Sequence, residues 1–199
     1  MKKILILSLL IFTLVNFVAT AQLKPGDKAP GFKLKNIDNS WVSLSDYHKE
    51  KGIILIFTCN HCPYAKLYES RIIELQKEFG PKGFPVVAIN PNDSTLFEED
   101  SFSNMISNAA EKGFNFPYLL DDENLFKAYG ASRTPHVFLL KNESKYFSVA
   151  YIGAIDDYPQ DIKDVKVHYV ANAIESLLKN KMPEIKETKA IGCSIKYKE

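Results

Sequence analysis

Residues 52–64, Gly-Ile-Ile-Leu-Ile-Phe-Thr-Cys-Asn-His-Cys-Pro-Tyr, join an almost purely apolar run, Gly52 to Phe57, to two cysteines three positions apart. An apolar run this short, ended by a polar cluster, predicts a strand buried on both faces. The next residues supply cover for it: Tyr68, Ile72, Leu75 and Phe79 recur at helical spacing, and Gly80-Pro81 marks the end of that helix. Pro85 to Asn90 reads as a second buried strand, so the order strand, helix, strand predicts a parallel pair joined by a crossover. Cys59 and Cys62 therefore fall where the first strand gives way to the helix. Residues three apart at a helix start have Cα atoms about 5 Å apart, inside the span that a disulfide tolerates.

Working outward, Gly31 to Lys35 and Trp41 to Leu44 read as short strands about a turn at Asp38-Asn39. Asp100 or Ser101 fits as the cap of a helix running to Lys112-Gly113, and Phe116 to Leu120 reads as extended. A short helix over Asn124 to Tyr129 stops at Gly130. The strands His136 to Leu140 and Tyr146 to Ile152 flank a hairpin turn at residues 141–144, and a last helix spans roughly Val165 to Asn180. No repeat, low-complexity block or interdomain linker interrupts the chain.

The first 21 residues read as a secretory signal: Lys2-Lys3, an apolar stretch from Ile4 to Leu14, then Ala19-Thr20-Ala21. The apolar stretch falls short of the roughly 20 residues that span a membrane, so the expected product is exported, soluble and periplasmic. The remaining boundaries are one domain over 22–182 and a polar tail over 183–199 that carries Cys193. With 25 Lys and Arg against 24 Asp and Glu, the chain has no basic stripe for nucleic acid and no polybasic arm for a membrane surface. Three cysteines in an exported chain leave at least one without an internal partner, which structural disulfides alone do not explain.

This sum, a strand, a CxxC, a helix, a strand, a helix, then Thr134-Pro135 before a hairpin and a closing helix, resembles the thioredoxin superfamily. Within it, the chain is similar to the exported thioredoxin-like and peroxiredoxin-like (redoxin, AhpC/TSA-type) proteins over about Leu23 to Lys198. The pieces that carry the resemblance are Phe57 to Pro63, Arg133 to His136, and the tail Thr188 to Lys196. It implies an α/β thioredoxin fold, a central mixed sheet flanked by helices with an N-terminal β extension and a C-terminal tail. It also implies a thiol–disulfide oxidoreductase acting on exported protein thiols and disulfides. Such an enzyme needs no cofactor or metal beyond a redox-active Cys59–Cys62 disulfide, and a soluble or membrane-bound redox partner recycles it.

In that reading Cys59 is the nucleophile, placed where free N–H groups and the helix dipole favour a thiolate, and Cys62, one turn inside, resolves the mixed disulfide. Pro63 is tolerated in a first helical turn. Asn60, His61 and Pro63 tune the pair. His61 is either a solvent-facing residue or an imidazolium that stabilises the Cys59 thiolate; the second option sets a potential between roughly −270 and −120 mV. Thr134-Pro135 resembles the cis-proline step of the superfamily, whose edge pairs with an extended substrate. Two departures bear on activity: Ile53 stands where thioredoxins often bury an acid, and Ile56 where peroxiredoxins carry a threonine. Dithiol exchange is thereby favoured over peroxide reduction. Cys193 fits either a small buried hydrophobe or an idle tail thiol, or else, as the tail's resemblance suggests, a third redox thiol or cover whose tail folds back so that it exchanges with Cys59.

Two other classes compete. Cys59, Cys62 and Cys193 with His61 or His136 could make a tetrahedral zinc or copper site, although no second CxxC stands at the usual spacing. A non-catalytic thioredoxin-fold module could instead hold Cys59–Cys62 as a fixed bond, although so short a loop gives little entropic stabilisation.

Overall fold

Along β3 (Gly52–Phe57) every residue is buried, and its side chains divide between two cores: Ile54 and Ile56 face one, Ile53, Leu55 and Phe57 the other. A strand filling two cores needs cover on both faces, and the computed structural model, which describes residues 22–198, shows how the chain provides it. The expected signal segment, 1–21, lies outside the described residues.

The sheet also contains β1 (Lys33–Asn36), β2 (Trp41–Ser43), β4 (Val86–Asn90), β5 (Tyr118–Leu120), β7 (His136–Asn142) and β8 (Phe147–Gly153). Its strand order is β2-β1-β5-β4-β3-β7-β8. β3 runs parallel to β4 with Ile54 opposite Val86, and antiparallel to β7 with Ile54 opposite Leu139. β4 and β5 are also parallel, while the β1–β2 and β7–β8 pairs are hairpins. The result is the mixed α/β sheet expected from the sequence, with β1 and β2 as the N-terminal extension.

One face of the sheet packs on α1 (Pro63–Phe79), α2 (Phe102–Lys112) and α4 (Tyr169–Leu178), through Tyr68, Ile72 and Phe79, Met105, and Val170 and Ile174. Each such side chain, fully buried, contributes about 1.5–3 kcal/mol. The other face takes the short α3 (Leu125–Tyr129) and Ile195 from the C-terminal tail. α1 is further pinned by Arg71, whose Nη1 donates to Asp156 Oδ2 at 2.7 Å beneath the surface, beside the Tyr68 hydroxyl.

Of three local expectations, one is met, one changes and one open choice is settled. α1 ends at Phe79 with Gly80 as its C-cap, as the Gly80-Pro81 reading expects, and a separate 3-10 turn over Gly80–Lys82 leads to Gly83, which takes the left-handed φ of +91°. α4 begins at Tyr169 and not near Val165, because Asp157 Oδ1 accepts the backbone N–H groups of Lys166 and Val167 and holds that stretch outside the helix. Ser101, not Asp100, caps α2 by accepting from Asn104 N at 3.4 Å.

Candidate active site

β3 ends at Phe57, and the chain turns through Thr58–His61 before α1 begins at Pro63. Cys62 is the residue before a proline, which pushes it to the extended region, and it takes φ −67°, ψ 123° as the N-cap. The helix start therefore lies later than the sequence reading supposed. Cys62, not Cys59, is the N-cap residue, and the backbone N–H of Ala65 in the first turn helps to lower its thiol value. This corrects the expectation that Cys59 is the sulfur at the positive end of the helix and that Cys62 lies one turn inside.

Both sulfurs are buried, Cys59 at 3% and Cys62 at 0% exposure, and all three cysteines are thiols. The two thiols act on each other: the Cys62 thiol pushes the Cys59 thiol up, with burial and the Asp100 carboxylate adding to the rise. The same coupling holds the Cys62 thiol well below its ordinary value, against the opposing cost of burial. Thiols coupled in this way titrate as a pair, the first proton leaving more readily than the second.

Thr134 completes the sulfur site. Its hydroxyl lies 3.1 Å from Cys59 Sγ, and its carbonyl oxygen accepts from Cys62 Sγ at 3.3 Å. The Thr134-Pro135 peptide is cis, as the sequence resemblance implies, and Arg133–Thr134 forms a two-residue strand, β6. Its partner is β9 (Cys193–Ser194), with Thr134 opposite Cys193 and Arg133 opposite Ser194. The tail thus folds back over the site, and Cys193 packs on the sulfur pair. Its thiol interacts with Cys62, whereas the sequence reading paired it with Cys59. Burial, then the Cys62 thiol, pushes the Cys193 thiol up to about 11.

The dipeptide between the cysteines is held by Asp100, a carboxylate at 0% exposure. Its oxygens accept from Asn60 N at 2.7 Å, His61 N at 3.4 Å, Asn90 Nδ2 at 3.3 Å and Asn92 Nδ2 at 2.8 Å. His61 Nδ1 also lies 2.7 Å from Asp100 Oδ2 and 3.8 Å from Cys59 Sγ, while its ring stacks on Phe97 with centroids 4.1 Å apart. The histidine is mostly covered and aimed inward, toward the carboxylate first and the sulfur second. Asn60 is buried too, with Nδ2 donating to Glu99 O and Oδ1 accepting from the Tyr118 hydroxyl.

Asp100, Asn90, Asn92 and Phe97 were not read as site residues from the sequence. The available signal was position: Asn90-Pro91-Asn92 follows a buried strand directly, and ligands of α/β sheets gather at the carboxyl ends of strands. Ile53 lies in the core, and Asp100 approaches the sulfurs from another direction. Ile56 is also a core residue, and the hydroxyl beside Cys59 comes from Thr134 instead.

His136 is buried away from this network. Its Nδ1 accepts from Ser132 N at 3.4 Å, and its ring packs against Phe138. Burial holds it down, from 6.5 to about 4. Below pH 6.5 the unfolded chain gains a proton that the folded chain refuses, so this contribution to stability is complete above pH 6.5 and falls as pH drops toward 4. The loss is about 3 kcal/mol. Urea midpoints of the wild type and of His136→Phe, compared from pH 7 to 4.5, should converge as the pH falls; parallel curves would show that His136 takes up its proton in the folded state.

Among the described residues, the side chains close enough to share a metal ion are Cys59, His61 and Asp100, with ligand atoms within 4.8 Å of one another. This differs from the cysteine-rich set considered from the sequence, since neither Cys62, Cys193 nor His136 belongs to it. Both Asp100 oxygens are already engaged by hydrogen-bond donors, which leaves the carboxylate poorly placed to ligate an ion as well.

A model of the AhpC/TSA family matches residues 25–146. The thiol-disulfide oxidoreductase ResA of Bacillus subtilis (strain 168) is 29% identical over 141 residues, which cover 69% of this chain and 74% of that protein. An uncharacterized conserved protein from Geobacillus kaustophilus, of known crystal structure, is 36% identical with a TM-score of 0.81; the match covers 87% of this chain and 92% of that one. The thioredoxin domain of a thiol-disulfide oxidoreductase from Bacteroides vulgatus superposes with a TM-score of 0.53 at 20% identity, over 64% of this chain and 89% of that one. That last likeness shows the fold, the thioredoxin fold.

Proposed function

The chain belongs to the AhpC/TSA family, and from that premise we propose that it is a thiol–disulfide oxidoreductase working through Cys59 and Cys62. The observation that carries the reading is the pair of buried thiols set against Thr134, whose hydroxyl lies on Cys59 and whose carbonyl accepts from Cys62. A pair so held can interconvert between dithiol and disulfide with little backbone movement.

Acting as a reductant, Cys59 as thiolate attacks a client disulfide, forming a mixed disulfide and expelling one client thiolate, which takes up a proton. Cys62 then attacks the Cys59 sulfur and releases the second client thiol. The client gains two electrons and the protein ends as the Cys59–Cys62 disulfide; the reverse sequence oxidises a client dithiol. His61, Asn60 and Pro63 shape the loop between the sulfurs, and Thr134-Pro135 offers the backbone edge for the client.

The setting proposed is outside the cytoplasm, in the periplasm, supported by the Lys2-Lys3 and Ala19-Thr20-Ala21 pattern in the sequence. No described helix is long and apolar enough to cross a membrane. A partner, soluble or membrane-bound, restores the working redox state.

The test is a glutathione redox titration of the protein, quenched by alkylation and read by peptide mass. Cys59 and Cys62 should titrate together as a two-electron couple, with a midpoint between roughly −270 and −120 mV. A pair that stays dithiol, or stays disulfide, across that range would remove the reading.

A further inference from the structure

The strand that occupies the client edge belongs to the protein itself. β9 pairs with β6 at Thr134, Ile195 N donates to Ser132 O at 3.3 Å, and Arg133 Nη1 donates to Gly192 O at 3.3 Å. Gly192 lies so close to the Thr134-Pro135 peptide that a Cβ there would stand 2.1 Å from Thr134 O. Only a residue without a side chain lets the strand settle this deeply. Beyond Cys193 the tail is fixed again: Lys196 N donates to Asn92 Oδ1 at 2.9 Å, Asp93 N donates to Lys196 O at 2.8 Å, and Ile195 is buried in the second core. Cys193 is thus gripped on both sides, with its thiol on Cys62, while the pair beneath is shut off from solvent.

We infer that residues 190–196 are a built-in, client-like strand held in the substrate cleft, and that Cys193 is a third exchanging thiol, which draws the disulfide from Cys59–Cys62 into a Cys62–Cys193 bond. The inference rests on the dithiol reading above and adds to it a gate and an internal substrate. In the step itself, Cys193 loses its proton and attacks Cys62 Sγ in the oxidised protein. The Cys62–Cys193 bond forms, the Cys59–Cys62 bond breaks, and Cys59 leaves as the thiolate that takes the proton. No electrons enter or leave; the disulfide moves and Cys59 is freed. The external substrate class follows from the occupant. It is an extended cysteine-bearing segment with glycine immediately before the cysteine, able to replace the tail along Arg133–Thr134.

Two variants of the full chain test this. Cys59→Ser, treated with glutathione disulfide, alkylated and mapped by peptide mass, should yield an intramolecular Cys62–Cys193 bond. Finding Cys193 alkylated, with Cys62 free or carrying glutathione, would overturn the inference. The wild-type digest separates this from the function itself: a Cys59–Cys62 couple that titrates while Cys193 stays alkylated sinks the third thiol alone. Gly192→Val should lift the strand and raise the alkylation rate of Cys59 and Cys62 in the reduced protein about tenfold or more, the effect of losing a few backbone hydrogen bonds. An unchanged rate would mean that the tail does not gate the site.

Discussion

Cys59→Ser should abolish reduction of a protein disulfide such as that of insulin, a fall of about 10³-fold or more, because the hydroxyl that replaces the thiol is no nucleophile at neutral pH. Cys62→Ser should behave differently. It keeps the attacking sulfur but removes the group that resolves the mixed disulfide, so a covalent adduct with the client should accumulate and be seen by mass. The geometry makes this contrast worth measuring. Cys62 has the N-cap position and the lowered thiol value, while Cys59 has the Thr134 hydroxyl and the small exposure that remains. Charge at rest and attack in the reaction need not fall on the same sulfur, since coupled thiols titrate as a pair. If Cys62→Ser gives no adduct and Cys59→Ser does, the roles are reversed and the helix-capping sulfur is the nucleophile.

The sequence made the frame of the site legible because its signals are local. A six-residue apolar run ended by a polar cluster reads as a strand with two covered faces, and Cys59 to Pro63 follow it after the single residue Thr58. The cis step at Thr134-Pro135 was legible only through its resemblance to the superfamily's motif, placed just before a hairpin. The long-range partners were not legible. Asp100 has the local credentials of a helix cap, and its actual work is to accept donors from Asn60 and His61, about forty positions earlier in the chain. Cys193 was legible as a thiol in excess, but which sulfur it meets is set by how β9 registers on Thr134, and two residues of pairing leave no periodic trace. The start of α4 was misplaced because Asp157 competes for its first N–H groups, a contact that helical spacing does not report.

Asp100 joins the two halves of the site, and Asp100→Ala should show it. The carboxylate holds the Asn60–His61 loop between the cysteines through two backbone N–H groups, and it holds Asn92, which in turn holds the tail at Lys196. Alanine would strand several buried donors at once, each worth about 1.5–3 kcal/mol when its partner is charged. The expected cost is roughly 5 kcal/mol, a large share of the stability of an ordinary domain. Read by urea denaturation, this loss should come with faster alkylation of Cys193 in the native protein, since the Asn92 anchor loosens with it. Asp100→Asn offers the milder case: one oxygen still accepts from Asn60 N, but an amide now faces the donor of Asn92, so part of the stability and of the Cys193 protection should return. Should Asp100→Ala prove as stable as the wild type, the network would be ornamental. Should it lose stability while Cys193 stays protected, the tail is held by Ile195 and Gly192 alone, and the link from Asp100 to the tail is broken.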